Sequence, residues 1–290
     1  MADHDRHHDH RSLGDQVRES WLTSLAHNAA FDRPWVEAAT AWAVASARGG
    51  PSPVVDVGCG AGGAAIAFAG HGAGPVVALD PDPRLVAVAR GRAVEAGVAG
   101  RVRLAAAALG GLPLRPGRAA VVWASGVVHH VPDQQAAVDE LAGLARPGGL
   151  VVFVEGGLPL RCLPHDVGIG RPGLEARLDE ARARWFADLR AELGGPDLPY
   201  GWPEALARAG LVDVEVRSFV AHAVPADDPH GATIAALHLE HARDELGDRL
   251  AADDRATLAR LLDPGDPAWI GRRHDLVVAA TRTVQLGRRP

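Results

Sequence analysis

Val54-Val55-Asp56-Val57-Gly58-Cys59-Gly60-Ala61-Gly62-Gly63 is the stretch whose reading decides the fold. A short apolar run, rich in valine, leads into a cluster of glycines, and an alanine-rich helical stretch follows over residues 61–69. Glycines let such a turn tighten and let backbone approach a ligand with no Cβ in the way. The helix that follows presents unpaired N–H groups. In an open α/β sheet this carboxyl edge is where ligands bind.

Working outward, residues 13–30 and 34–47 read as two helices, closed by Gly49-Gly50-Pro51-Ser52-Pro53. Downstream, strands are expected at 75–79, 102–106, 119–124 and 150–155, with helices at 83–96 and 134–145 between them. Continuous apolar strands alternating with helices imply a parallel sheet covered on both faces. The pattern then changes. Leu174, Leu178, Ala181, Trp185 and Leu189 recur at helical spacing within 156–200, a short helix is expected at 204–209, and 232–262 reads as helical again. Late strands are expected at 212–218 and 275–284, with the helices between them forming a cover over the ligand edge.

Composition narrows the function classes. The chain has 290 residues, 47% hydrophobic and 23% charged, enough for a full core. It lacks lysine entirely, and its net charge is −6. With no basic block, nucleic acid and anionic membrane are poor partners. No apolar run reaches the length of a membrane span, and the polar start lacks the core of a secretory signal, so a cytoplasmic location is expected. Cys59 and Cys162 match no zinc spacing, so no metal site is expected. His4, His7, His8 and His10 could bind a metal, but a solvated end is the simpler reading.

A second signal is Val76-Val77-Ala78-Leu79-Asp80, whose acid falls 22 positions after Gly58. A carboxylate there can accept both hydroxyls of a ribose. Gly58-x-Gly60-x-x-Gly63 by itself also satisfies the dinucleotide fingerprint. Asp56 favours a cationic ligand, because a carboxylate is a poor neighbour for a pyrophosphate. S-adenosylmethionine carries an ammonium and a sulfonium.

Four motifs then resemble those of class I S-adenosylmethionine-dependent methyltransferases, in order and suitably spaced over about residues 50–155. They are Asp56-Val57-Gly58-Cys59-Gly60, Asp80, Val122-Trp123-Ala124-Ser125-Gly126-Val127-Val128-His129-His130-Val131-Pro132-Asp133, and Leu141-Ala142-Gly143-Leu144-Ala145-Arg146-Pro147-Gly148-Gly149. The resemblance implies an α/β, Rossmann-like fold with a seven-stranded, mostly parallel sheet whose last strand is antiparallel, with helical cover insertions at about 156–200 and 228–265. Residues 1–50 would be an N-terminal helical cover and 51–290 the main domain. It also implies S-adenosyl-L-methionine as cofactor and S-adenosyl-L-homocysteine as product. Asp56, Gly58, Cys59, Gly60, Asp80, Pro81 and Ser125 would line the cofactor site. The family's acid after the third strand is replaced by Ala108, so backbone and packing near Ala108 and Leu109 would hold the adenine. The family's Asp at the start of the fourth strand is replaced by Ala119-Ala120. Arg18 and Trp21, on the first helix, would fold over the cofactor.

Candidates for a general base are His129, His130 and His165, with His130 also a candidate for lining the cofactor pocket. Glu155 ends the fifth strand at the same edge, and Asp166 neighbours His165. Trp185, Phe186, Tyr200 and Trp202 could wall an apolar pocket, although Trp185 at helical spacing also reads as core. Cys59 reads as a small residue chosen for fit. The expected reaction is methyl transfer to O, N or C of a small, partly apolar metabolite, by a monomer or homodimer. Two alternatives remain at this point: a related protein that binds the cofactor without methylating, and an NAD(P)-dependent oxidoreductase. The latter would need a Tyr/Lys pair that a chain with one tyrosine and no lysine lacks.

Overall fold

A computed structural model describes residues 15–224 and 229–290, with side chains from residue 27 onward except 225–230. The elements run α1 (Asp15–Ser46), β1 (Val54–Val57), α2 (Gly63–Gly70), β2 (Val76–Asp80), α3 (Pro83–Glu95), β3 (Val102–Ala106), β4 (Ala119–Ser125), α4 (Gln134–Leu144) and β5 (Ala145–Val154). They continue through α5 (Leu174–Leu193), α6 (Trp202–Arg208), β6 (Val212–Ala223), α7 (Pro229–Leu246), α8 (Ala252–Leu262) and β7 (Val278–Arg288). The sheet has seven strands in the order β3-β2-β1-β4-β5-β7-β6. β1 to β5 pair in parallel, and β7 runs antiparallel to both β5 and β6. Strand order reverses between β1 and β4, so a crevice opens at their carboxyl ends, where such sheets bind ligands.

Local chemistry sets the boundaries. β1 and the first six residues of β4 are buried throughout, as expected of strands covered on both faces. Asp82 caps α3 by accepting from Arg84 N at 2.8 Å, with Pro83 pre-set in the first turn. Asp133 caps α4 in the same way through Ala136 N at 2.9 Å. One face of the sheet packs Trp123 and Val152 against α1, α2, α5, α7 and α8. The other packs Phe153 and Val122 against α4 and α6. Leu174, Leu178 and Ala181 are buried on the expected face of α5, while Trp185 packs at the margin of that core.

Three sequence expectations are corrected. Residues 13–30 and 34–47 do not form two helices, because α1 continues through Pro34. Proline removes one helical hydrogen bond, and burial of Phe31, Trp35, Ala39 and Trp42 on the same core offsets that loss. β5 begins at Ala145, five residues early, because Ala145 pairs with Ala119 before a register shift at Val121. β7 is displaced from 275–284 to Val278–Arg288, since it must match β5 and β6 along its length. The helices placed as a cover share the core of the sheet: Leu239 of α7 is fully buried in it. Leu239→Ala should therefore lower the unfolding free energy by about 2–5 kcal/mol, in a single urea transition followed by circular dichroism. A separate early transition for the cover would show that it is not part of that core.

Candidate active site

The turn after β1 is built around two glycines. Gly58 has φ +68°, and a Cβ there would stand 2.3 Å from Val127 Cγ2, in the loop leaving β4. Gly60 has φ +52° with open space beside it, so a substituent there suffers from backbone strain rather than a clash. The Gly60 N–H donates to Asp80 Oδ2 at 2.8 Å, and Asp82 N–H donates to Asp80 Oδ1 at 2.9 Å. Asp80 thus fastens the glycine turn to the start of α3, and each oxygen keeps acceptor capacity for a ligand. Burial raises its pKa above the ordinary carboxylate value, with those two N–H groups opposing.

Asp56 is different. It is 1% exposed, and among the described residues its Oδ2 has no hydrogen-bond partner. Desolvation raises its pKa to about 7, against an opposing hydrogen bond from the Ala65 backbone. Trp123 Nε1 is likewise buried and unpartnered. Both residues line a cavity of about 330 Å³, together with Gly58, Cys59, Gly60 and Ser125 and, from α1, Asn28, Asp32 and Trp35. Cys59 is buried, and its thiol pKa is pushed far up by desolvation, which leaves a packing residue and no nucleophile. Asp80, Pro81, Ala108 and Leu109 do not line this cavity. Pro81 and Ala108 are exposed, while Leu109 packs against the α4 side of the core. The loop carrying Ala108 and Leu109 is held by Glu140, which accepts from Gly110, Gly111 and Leu112 N–H groups at 2.7–3.0 Å.

A second cavity of about 590 Å³ adjoins the first at Ser125 and is lined by His129, Gln134, Glu155, Phe186, Tyr200, Trp202 and Arg282. Glu155 is 4% exposed and fully engaged. Its Oε1 accepts from Val127 N at 2.9 Å and Val128 N at 2.8 Å, and its Oε2 lies 2.8 Å from His129 Nδ1. This fixes the Nδ1–H tautomer and leaves Nε2 as a proton acceptor. The His130 ring is exposed, lies tilted against His129 with 3.9 Å between centroids and lines neither cavity. His165 is brought to neither cavity. Its carbonyl accepts from Gly173 N at 2.6 Å, tying it to the start of α5. Of the four aromatics, Phe186, Tyr200 and Trp202 reach the cavity, and Trp185 packs at the margin of the core.

Sequence reasoning placed α1 over the cofactor cleft but chose Arg18 and Trp21, whose side chains lie outside the described residues, as do His4, His7, His8 and His10. It missed Asn28, Asp32 and Trp35 on that helix. The i, i+3 pair Asp32–Trp35, joined by a 2.7 Å bond from the indole, was the available signal. It also missed Arg282, a charge between Thr281 and Thr283 in the middle of β7. Among the described residues, no group of three or more His, Cys, Asp or Glu is arranged to hold a metal, and no helix is long and apolar enough to cross a membrane.

Residues 55–153 match the protein family described as a methyltransferase domain. A 100-residue segment is 43% identical to ribosomal protein L11 methyltransferase of Pelotomaculum thermopropionicum, covering 34% of this chain and 30% of that protein. The chain thus spans under a third of the length of that relative. Its fold is similar to that of a protein from Bacillus halodurans C-125 described as a methyltransferase, with a TM-score of 0.50 and 17% identity over 82% of this chain and 92% of that one. Phosphoethanolamine N-methyltransferase 2 of Haemonchus contortus, solved with S-adenosyl-L-methionine, aligns with a TM-score of 0.47 and 16% identity over 82% of this chain and 48% of that one. Residues 55–153 are thus similar to a methyltransferase domain, and the chain shares the fold of a protein described as a methyltransferase.

The lining of the first cavity would suit the cationic end of S-adenosylmethionine. The unpartnered Asp56 oxygen asks for a donor or a positive charge, and the cofactor's cationic end supplies one. Free protein at pH 6 holds Asp56 mostly protonated, given a pKa of about 7. A bound cation favours the ionised form, so binding below pH 7 releases a proton. Affinity for S-adenosylhomocysteine should therefore rise with pH from 5.5 to about 7 and level off above. Calorimetry in buffers of different ionisation enthalpy will count the protons. Asp56→Asn should flatten the profile. It should also raise the melting temperature of the free protein at pH 8, where the buried charge costs stability in the folded state. A profile that stays steep in the variant removes Asp56 from this role.

Proposed function

We propose that this protein transfers the methyl group of S-adenosylmethionine to a hydroxyl of a small, partly apolar molecule held in the second cavity. The observation that carries this reading is the His129–Glu155 pair, 2.8 Å apart, in a cavity that meets the cofactor cavity at Ser125. Asp56, Gly58, Gly60 and Trp123 would hold the cofactor's amino-acid end. Asp80, with Pro81, Ala108 and Leu109 nearby, would take the ribose and adenine. When bound, the cofactor supplies an electrophilic methyl on a positively charged sulfur.

The chain's own work is then positioning and proton removal. His129 Nε2 accepts the proton of the attacking hydroxyl, and Glu155 stabilises the imidazolium that results. Phe186, Tyr200 and Trp202 shield the reacting atoms from water. Tyr200 is held by a 3.0 Å bond from its hydroxyl to Gln135 Oε1. The match to ribosomal protein L11 methyltransferase covers 34% of this chain and 30% of that protein, so it carries nothing about the acceptor.

An acceptor can be found by screening hydroxylated small molecules with radiolabelled cofactor. His129→Gln should then lower turnover about 10²–10⁴-fold while the dissociation constant for S-adenosylhomocysteine barely moves. His165→Ala should leave both unchanged. Equal turnover in wild type and His129→Gln would leave catalysis to positioning alone. The cofactor half has its own test. Gly60→Val should abolish S-adenosylhomocysteine binding in a folded protein, because valine resists a positive φ. Asp80→Asn should weaken binding, because its amide exchanges an acceptor for a donor. Unchanged affinity in both variants would mean the ligand sits elsewhere.

A further inference from the structure

The acceptor cavity has a charged group that no step above uses. Arg282 projects from β7 beyond the last β5 pairing, Val154 with Val284, and lines the cavity with His129 and Glu155. Its side chain is about a third exposed, at 31%. Among the described residues its partners are weak. Nη1 bonds the Thr281 carbonyl at 3.3 Å. Asp32 Oδ1 lies 3.7 Å from Nη2, beyond hydrogen-bond length, and that oxygen already accepts from Trp35 Nε1 at 2.7 Å. Burial raises the Asp32 pKa and the Arg282 charge opposes that shift, so the two interact through space without a hydrogen bond. The other charge in the cavity, Glu155, is taken up by Val127, Val128 and His129. The cavity therefore holds a guanidinium whose fork is mostly unspent.

A planar guanidinium pairs bidentately with an oxyanion. The remaining walls, Phe186, Tyr200 and Trp202, suit a flat ring. We propose that Arg282 determines acceptor specificity, and that the acceptor is a flat hydroxylated molecule carrying an oxyanion, either a carboxylate or a phosphate. This rests on the methyl-transfer reading above, with the hydroxyl presented to His129 and the oxyanion held by Arg282.

The test is calorimetry on the protein, with and without S-adenosylhomocysteine, using three probes. They are 4-hydroxybenzoate, 4-hydroxyphenyl phosphate and the neutral 4-hydroxybenzamide. At least one acid should bind about tenfold or more tighter than the amide, and the two acids tell carboxylate from phosphate. Arg282→Gln should erase that advantage while amide and S-adenosylhomocysteine affinities hold, and Arg282→Lys should keep part of it. The proposal is overturned if neither acid binds at millimolar concentration. It is equally overturned if wild type binds acid and amide alike, or if the preference survives in Arg282→Gln. Because the acid-to-amide ratio is read in wild type, it stands even if a variant misfolds. Absence of S-adenosylhomocysteine binding, or of methyl transfer to any hydroxyl compound, would sink the methyl-transfer reading separately, since the ratio needs no turnover.

Discussion

Two turns interlock at the carboxyl edge of the sheet, and the rest of the site depends on that contact. Val127, in the loop leaving β4, occupies the space where Gly58 would carry a Cβ. The loop after β1 and the loop after β4 can approach this closely only because one of them is glycine. Each is then fixed from its far side by a buried carboxylate. Asp80 grips the Gly60 N–H, and Glu155 grips the N–H groups of Val127 and Val128. One cavity opens beside the first loop and one beside the second, and Ser125 at the end of β4 belongs to both. A methyl donor and an acceptor held in them would meet across a junction that two strands and two acids hold rigid.

The buried acids also separate structure from chemistry. Asp254 is 2% exposed, and it is saturated by Arg177 through bonds of 2.8–3.1 Å, with Arg171 alongside. Glu155 and Asp80 spend their oxygens on backbone N–H groups and, for Glu155, on His129. Asp56 alone among these four keeps an oxygen without a donor, and its pKa is the one raised to about 7. A buried carboxylate left so incomplete costs stability. Its place beside a cavity gives the cost a reason: a cationic ligand completes the hydrogen bonding that the fold withholds.

How much of this the sequence carried depended on how local the cause was. β1, β3 and the glycine turn were legible, because apolar runs and glycines act within a few residues. That Asp56 and Asp80 sit beside the glycine turn was legible from their spacing to it. That Asp80 also serves the turn was not, since it follows from the Gly60 N–H direction. The start of β5 was missed because its first pairing, with Ala119, is set by a neighbouring strand. Continuity of α1 through Pro34 was missed because proline is a local break signal, overridden by aromatic burial that only the tertiary structure reveals. In sequence, His129, His130 and His165 have equal claim as the base. The choice among them rests on Glu155, 26 residues away.

The absence of lysine, a trait of composition in sequence, takes on a mechanical meaning here. Arg190 of α5 reaches the loop that carries His129 and donates to three successive stretches of its backbone: His129 O at 3.3 Å, Val131 O at 2.6 Å and Pro132 O at 2.9 Å. A planar fork can serve several carbonyls at once, whereas a point-charge ammonium on a flexible stem fixes no such geometry. The same helix places Phe186 against the His129 ring, 5.9 Å between centroids. The histidine is therefore held on its ring by Glu155 from the sheet and on its backbone by Arg190 from the cover. Any movement of α5 that admits an acceptor must carry the His129 loop with it or break those bonds. Under the proposed reading, entry to the second cavity and the aim of the base would in this way be one mechanical variable, coupling a filled cavity to a correctly placed imidazole.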